Sequence, residues 1–176
     1  MSHTNALSAI LDVPIVSSVR KNHALEHATL NLISARNPRL RLVGRSSFSG
    51  FTVYGDIPTE ELLTAAQDAA RRLRAGQEQL AIHEHCGSNL VVAGVLAALG
   101  TFLVLGGKSK NRFQRLSRLP LAFVASTLGV ILAQPLGPKL QARVTTESDL
   151  EDLRITGISR EKKGNVTVHH VHTATG

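Results

Sequence analysis

Two histidines and a glutamate lie within one helical turn near the start of the chain, in the stretch His23-Ala-Leu-Glu26-His27. Imidazoles four residues apart share one face of a helix, where they can bind a divalent cation between them. Glu26 lies three residues after His23, so its carboxylate can reach the open side of that cation. The flanking residues are small or apolar, and burying ionisable groups without a partner is costly. The pattern therefore predicts a metal site with His23 and His27 as ligands.

A second group of ligand types occurs farther along the chain, in His83-Glu84-His85-Cys86-Gly87. A histidine and a cysteine three residues apart around a glycine turn can bind one ion together. We predict that His83 and Cys86 join His23 and His27 in a site with three imidazoles and one thiolate. Thiolate and imidazole ligands favour zinc over magnesium or calcium.

The two motifs together resemble a group of uncharacterised bacterial membrane proteins. In that group, H-x-x-E-H precedes H-x-x-C-G-[ST] at the mouth of a transmembrane helix. The first motif also has the spacing of the inverzincin metalloproteases, in which two histidines bind zinc and the glutamate polarises a water. The resemblance runs from Arg20 to the second apolar block, includes Arg45-Ser46, Gly50-Phe51 and Tyr54-Gly55, and implies a site without implying a substrate. This chain departs from the pattern at His85, which is a competing ligand.

Two apolar blocks, residues 90–107 and 119–136, contain no charged residue. Each is about 18 residues long, which is just enough to cross a hydrocarbon core of roughly 30 Å. A basic loop, 107–118, joins them, and small residues in the first block allow two helices to approach closely. We therefore predict a transmembrane helical hairpin. The alternative is a helix pair buried in a soluble core.

Hydrophobic spacing and turn residues predict the remaining elements. A first helix covers 16–35, with Asp12 as its cap and Pro14 in its first turn. A second helix begins within the stretch from Asp56 to Glu61 and stops at Gly76. The predicted strands are 42–44 and 51–54, joined by a turn from Arg45 to Gly50, and then 79–83. In the tail, a hairpin of 153–159 and 166–173 follows.

These elements give the predicted fold class, a small α+β soluble domain plus a two-helix transmembrane hairpin. The predicted metal-binding α+β domain covers 1–87, and the transmembrane hairpin covers 88–137. The tail, 138–176, returns to the first domain and packs its β-hairpin there. His169, His170 and His172 in this tail are predicted to form an exposed strand end, with a second metal site as the alternative.

Charge and cysteine usage narrow the choice of partner and compartment. The net charge is +7, but Phe113 is the single aromatic residue in the basic cluster, too little for a stacking platform, so no nucleic-acid partner is predicted. Cys86 is the only cysteine, which excludes an internal disulfide. We expect a bacterial cell-membrane protein with two spans, in contact with lipid and with a protein partner or a membrane-associated peptide, and able to form a homo-oligomer.

The side of the membrane follows from two opposing arguments. The positive-inside rule places the basic loop in the cytoplasm, which would put the N-terminal metal domain on the opposite side of the membrane. The stretch from Met1 to Ala6 carries no positive charge and does not resemble a secretory signal, so the metal domain is expected to stay cytoplasmic.

Three functions are compatible with these motifs. The favoured one is a membrane-anchored zinc hydrolase, peptidase-like, in which Glu26 is the general base. The second is a structural zinc site in a scaffold, an assembly factor or an accessory subunit of a membrane complex. The third has no metal and makes the histidines a buried polar cluster in an interaction module.

Overall fold

The computed structural model describes residues 6–107, 112–150 and 152–176. It separates into two compact units. The first combines Met1–His83 with Gln141–Gly176, and the second is Glu84–Leu140.

The first unit is a helix and sheet structure. Its helices are α1 (Ala6–Leu11), α2 (Pro14–Arg36) and α3 (Thr59–Arg74), with a 3-10 turn at Glu78–Ala81 and a π turn at Gln141–Thr145. Its four strands are β1 (Val43–Ser47), β2 (Gly50–Tyr54), β3 (Leu153–Lys163) and β4 (Val166–Thr175). They form one antiparallel sheet in the order β1-β2-β4-β3, so the last strand of the chain lies inside the sheet.

Helix α2 is the element that carries the first motif. Pro14 lies in its first turn, where the missing N–H needs no partner, and Arg36 ends it. The prediction that Asp12 caps this helix is wrong, because Val13 occupies the N-cap position. The backbone N–H of Asp12 bonds to Ser8, so this residue closes α1 instead. From Asn22 onward α2 is buried on nearly every side, which places its polar residues inside the unit.

The sheet begins with a tight hairpin of β1 and β2, in which Ser47 pairs with Gly50. The sequence predicted a turn from Arg45 to Gly50, but Arg45 to Ser47 belong to β1. Gly50 has a φ of +137° and its α carbon faces the backbone of Val171, so a side chain here would collide with β4. The tail strands β3 and β4 pair up to Lys163 and Val166 and turn at Gly164, whose φ is +62°.

Helix α3 packs one alanine-rich face into the core. Glu60 and Glu61 lie in its first turn and Arg71, Arg72 and Arg74 in its last, which matches the polarity of the helix dipole. Gly76 follows it with a φ of +83°. The buried apolar residues from the two long helices and the sheet form one cluster that includes Leu25, Ile33, Phe51, Val53, Leu62, Leu73, Leu150 and Val171.

The prediction of a strand at 79–83 is wrong. Residues Glu78–Ala81 form a 3-10 turn, and Ile82 and His83 are extended without joining the sheet. The local backbone bond from Ile82 to Gln79 closes the turn. Two side-chain amides, those of Asn31 and Gln141, bond to the remaining backbone groups where a neighbouring strand would otherwise be needed.

The second unit consists of helices α4 (Gly87–Leu105), α5 (Arg112–Leu116) and α6 (Leu119–Leu140). Helices α4 and α6 approach closely at two glycines. A Cβ built on Gly100 would lie 2.7 Å from the carbonyl oxygen of Ala125, and one on Gly129 would lie 2.7 Å from the backbone of Leu96. Small residues allow this close approach.

Two helical stretches are long and apolar enough to cross a membrane. The first is α4, and the second, Phe113–Thr145, contains α6 together with most of α5 and the π turn. Large apolar side chains on both are exposed, including Leu103 and Phe123. No part of the apolar window of the first helix is buried, whereas the core helix of a soluble protein would be mostly buried.

Candidate metal centre

The histidines of α2 lie against each other. The ring centroids of His23 and His27 are 4.2 Å apart, with the ring planes tilted by 59°. His83, in the extended segment after the 3-10 turn, has its ring centroid 5.6 Å from that of His27. Three of the four predicted ligands therefore form a row of imidazoles within the first unit, with His27 in the middle.

Hydrogen bonds to the backbone set the orientation of the first two rings. His23 Nδ1 lies 2.8 Å from the carbonyl oxygen of Thr145, and His27 Nδ1 lies 2.7 Å from that of Ala81. A carbonyl oxygen can only accept, so each Nδ1 carries the proton. In a neutral ring the lone pair then lies on Nε2. This is the arrangement by which proteins orient a histidine that binds a metal through Nε2.

The segment that supplies the Thr145 carbonyl is itself held against α2. Arg20 forms an ion pair with Glu147 at 3.0 Å and donates to the carbonyl oxygens of Val144 at 2.8 Å and Thr146 at 3.2 Å. The guanidinium therefore fixes the residues on both sides of Thr145. This contact positions the acceptor to which His23 is bonded.

The ring of His83 is oriented by a side chain. His83 Nδ1 lies 2.6 Å from Asn31 Oδ1. The amide of Asn31 also donates from Nδ2 to the carbonyl oxygens of Leu80 at 3.0 Å and Ile82 at 2.9 Å. Because these carbonyls need a donor, Oδ1 must face His83 and accept its proton. His83 therefore has the same tautomer as His23 and His27.

Cys86 is the fourth predicted ligand and lies on the loop three residues after His83. Its side chain is buried. Among the described residues, His23, His27 and Cys86 form a group that could hold a metal ion, and His83 is not a member of this group.

Glu26, the predicted general base, is 5% exposed and has a partner on the sheet. The hydroxyl of Ser46 on β1 donates a hydrogen bond to its carboxylate. A Cβ built on Gly44, two residues earlier in the same strand, would overlap this carboxylate. A glycine and a serine on one face of β1 thus make room for Glu26 and bind it. Sequence reasoning missed both residues, because it assigned Ser46 to a turn.

Residues 18–158 match the sequence profile of DUF6391, a domain of unknown function. The chain belongs to the DUF6391 family. An uncharacterised protein of Picosynechococcus sp. (strain ATCC 27264 / PCC 7002 / PR-6) is 30% identical over 142 residues, which cover 73% of this chain and 65% of that protein. The chain thus spans less than two thirds of this relative's length. No solved structure matches it.

The predicted membership of an uncharacterised family is confirmed by this match. The DUF6391 range contains all four predicted ligands and Glu26, together with the residues that orient the imidazoles. It ends before β4, the strand that carries the tail histidines.

The prediction that the tail histidines form an exposed strand end is wrong for His169. Its side chain is fully buried, because it lies on the same face of β4 as Val171, a residue of the core cluster. His169 Nε2 lies 3.1 Å from Thr59 Oγ1, and Nδ1 is buried without a hydrogen-bond partner among the described residues. Burial lowers the pKa of His169 below its usual value of 6.5, and the positive charge of Arg160 adds to this effect.

The other two tail histidines lie on the opposite face of β4. His170 uses both ring nitrogens, at 2.9 Å from Thr52 Oγ1 and 2.9 Å from Glu161 Oε1. His172 is exposed and its Nε2 lies 2.9 Å from Ser159 Oγ. The ring nitrogens of His170 therefore already have protein partners. His85, the competing ligand of the second motif, is exposed on its loop.

Proposed function

We propose that this DUF6391 chain is a membrane-anchored zinc-binding protein whose metal ion has a structural role. The observation that carries the proposal is the common orientation of three imidazoles. His23, His27 and His83 each direct Nδ1 to an oxygen that accepts, which puts the proton on Nδ1 and the lone pair on Nε2, the form in which a histidine binds a metal through Nε2. The thiol of Cys86 supplies a fourth donor. The ion would tie helix α2 to the segment from Ala81 to Cys86.

The chemistry of the donors supports zinc. Imidazole and thiolate suit zinc, whereas magnesium and calcium prefer oxygen ligands. Four protein donors close a tetrahedral site, and closed sites of this kind stabilise a fold. The protein would then act as a scaffold, an assembly factor or an accessory subunit of a membrane complex.

The membrane part of the proposal rests on the second unit. We assign α4 and α6 as the two spans of a helical hairpin in the bacterial cell membrane, since both expose apolar side chains along their length. The glycine contacts at Gly100 and Gly129 would hold the two spans together within lipid. We place the first unit on the cytoplasmic side, as the sequence argument favours.

The second candidate is a membrane-anchored zinc hydrolase, peptidase-like. It is favoured by Glu26, a buried carboxylate three residues after His23 on the same helix. Glu26 would act as general base and take a proton from the attacking water. A bound zinc ion would supply Lewis-acid polarisation of the scissile carbonyl. We rank this candidate second because the hydrogen bond from Ser46 gives the buried carboxylate a structural reason of its own.

Metal analysis with X-ray absorption tests the first proposal. The detergent-purified protein should carry about one equivalent of zinc, with one sulfur and three nitrogen neighbours at about 2.3 and 2.0 Å. The matched variant Cys86→Ser should lose the sulfur neighbour. Protein without zinc would overturn the proposal. Two or three protein ligands with a water oxygen would instead favour the hydrolase.

Glu26→Gln separates the two candidates by a second route. For a structural site, the variant keeps its zinc and any cellular phenotype of the deletion strain is complemented. For a hydrolase, the variant keeps its zinc and fails to complement, because the general base is lost. The control is His27→Ala, which should fail to complement in both cases.

A further inference from the structure

Two side-chain amides hold His83 from different sides. The first belongs to Gln141, which is 0% exposed. Its Oε1 accepts from the backbone N–H of His83 at 2.9 Å, and its Nε2 donates to the carbonyl oxygen of the same residue at 3.1 Å. An antiparallel strand makes this pair of hydrogen bonds with its neighbour. Here one side chain makes both, so it fixes the backbone of His83.

The second amide belongs to Asn31 on α2 and fixes the ring. Its two donor bonds, to Leu80 and Ile82, hold the backbone immediately before His83. Its oxygen then accepts the proton of His83 Nδ1 at 2.6 Å. The two amides together make five hydrogen bonds to a segment of four residues.

The four hydrogen bonds to the backbone are enough to fix the position of the segment from Leu80 to His83. The fifth bond, to the ring, adds nothing to the backbone, but it selects one tautomer and one ring orientation. That selection matters when Nε2 has to present its lone pair. The same oxygen acceptor chemistry occurs at His23 and His27, where backbone carbonyls provide it.

We propose that Asn31 and Gln141 are positioning residues for the metal site. Gln141 sets the backbone of His83, and Asn31 sets its ring so that Nε2 is the donor before any metal arrives. The protein thus carries out the ordering of this ligand during folding, and metal binding does not have to provide that free energy. This inference rests on the zinc site proposed above.

Helix α2 offers a matched control for Asn31. Asn22, on the same helix, also donates from Nδ2 to two carbonyl oxygens, those of Ser47 at 3.0 Å and Phe48 at 3.3 Å. Its Oδ1 likewise accepts one bond, from Thr173 Oγ1 at 2.7 Å. The two asparagines have the same set of hydrogen bonds, but only Asn31 has an imidazole as the donor to its oxygen.

The test is a Co²⁺ titration of the metal-free, detergent-purified chain, followed through its visible absorption. Asn31→Leu should weaken binding about 10- to 100-fold relative to the wild type, the usual effect of losing a partner that orients a ligand. Asn31→Asp keeps an oxygen acceptor for Nδ1 but loses the donor to the carbonyl oxygens of Leu80 and Ile82, so it should bind Co²⁺ more tightly than Asn31→Leu and less tightly than the wild type. Asn22→Leu should lower the thermal midpoint and leave the affinity within about threefold of the wild type.

The outcomes distinguish the inference from the proposed function. If the wild type does not bind Co²⁺, the zinc site itself is refuted. If the wild type binds and Asn31→Leu binds equally well, or Asn22→Leu loses as much affinity, Asn31 does not position a ligand.

A second measurement needs no variant at position 31. ¹⁵N chemical shifts of the His83 ring in the metal-free wild type should show a protonated Nδ1 and a lone pair on Nε2. Gln141→Leu should weaken Co²⁺ binding and leave this tautomer unchanged, because the two described hydrogen bonds of the Gln141 side-chain amide go to the backbone of His83. The opposite tautomer in the wild type would overturn the inference.

Discussion

The chain has two concentrations of histidine in its first unit, and they differ in what their ring nitrogens contact. The helix cluster, His23, His27 and His83, directs every Nδ1 to an oxygen that can only accept. In the strand cluster, His169, His170 and His172, ring nitrogens lie next to hydroxyls and a carboxylate. A hydroxyl can donate as well as accept, so it does not select a tautomer. The carboxylate of Glu161 can only accept, and it therefore places a proton on Nε2 of His170, the nitrogen that carries the lone pair in the helix cluster.

If the proposed zinc site is correct, histidine density alone does not predict a metal site. The strand cluster has three histidines within four residues, whereas the helix cluster draws its members from distant parts of the chain. Only the helix cluster combines close ring contacts with acceptors that prepare Nε2 for a metal. The partners of the imidazoles are therefore more informative than their spacing.

The largest expected difference between the clusters is in metal content. His27→Ala should reduce bound zinc from one equivalent to less than about 0.1, because a ligand in the middle of the site is lost. His170→Ala, in the strand cluster, should keep the full equivalent. Both are measured by elemental analysis of the detergent-purified protein. Equal zinc loss in the two variants would erase the distinction between the clusters.

A smaller difference is expected for two serines, one near each cluster. Ser46 bonds to Glu26, which lies on the same helix as His23 and His27, and Ser159 bonds to His172. Ser46→Ala removes a donor from the buried carboxylate of Glu26 and should destabilise the fold by about 1.5–3 kcal/mol, the usual range for a hydrogen bond to a charged group. Ser159→Ala removes an exposed partner of His172 and should stay within about 0.5 kcal/mol of the wild type.

Chemical denaturation monitored by circular dichroism measures both serine variants under the same conditions. Similar stability losses would mean that the Ser46 hydroxyl is replaced by another donor, and that Glu26 is not held by β1. In that case the structural reason for the buried carboxylate weakens, and the hydrolase candidate gains support.

Much of the architecture could be predicted from local pattern. The helical spacing of apolar residues gave α2 and α3 to within a few residues, because each helix buries a face whose period is visible in the sequence. The two apolar blocks likewise predicted α4 and α6. The hairpin in the tail has its turn at Gly164, where a positive φ favours glycine.

The errors arose where distant residues replace local partners. The stretch 79–83 looked like a strand, but Asn31 and Gln141 bond to its backbone in place of a neighbouring strand. Both amides are far from that stretch in the sequence, so no local pattern could indicate these contacts. His169 was predicted to be exposed as part of a strand end, and its burial follows from its position on the face of β4 that carries Val171 into the core.

The candidate site was predicted as a set of ligand types, and the residues that orient them were not. Spacing placed His23 and His27 on one helical face. No pattern in the sequence connects His23 with the carbonyl of Thr145, or Glu26 with Ser46, because these contacts depend on the packing of α2 against other segments.

The smallest expected difference concerns the one histidine of the strand cluster that is buried. Folding lowers the pKa of His169, mainly through burial and further through Arg160 and His170, while Asp56 acts in the opposite direction. Below pH 6.5 the unfolded chain therefore binds a proton at this position more readily than the folded protein does. The contribution of His169 to the free energy of unfolding is therefore fully present above pH 6.5 and is lost as the pH falls below it.

His169→Gln removes the titrating group, so the variant should lose less stability than the wild type between about pH 7 and about pH 5. Thermal midpoints of the metal-free proteins measure this loss, since acid also releases zinc from its ligands. His172→Gln, on the exposed face, is the control and should follow the wild-type pH dependence. If His169→Gln and the wild type lose stability in parallel, His169 takes up its proton equally well in the folded chain. The buried position of His169 would then accommodate a charge.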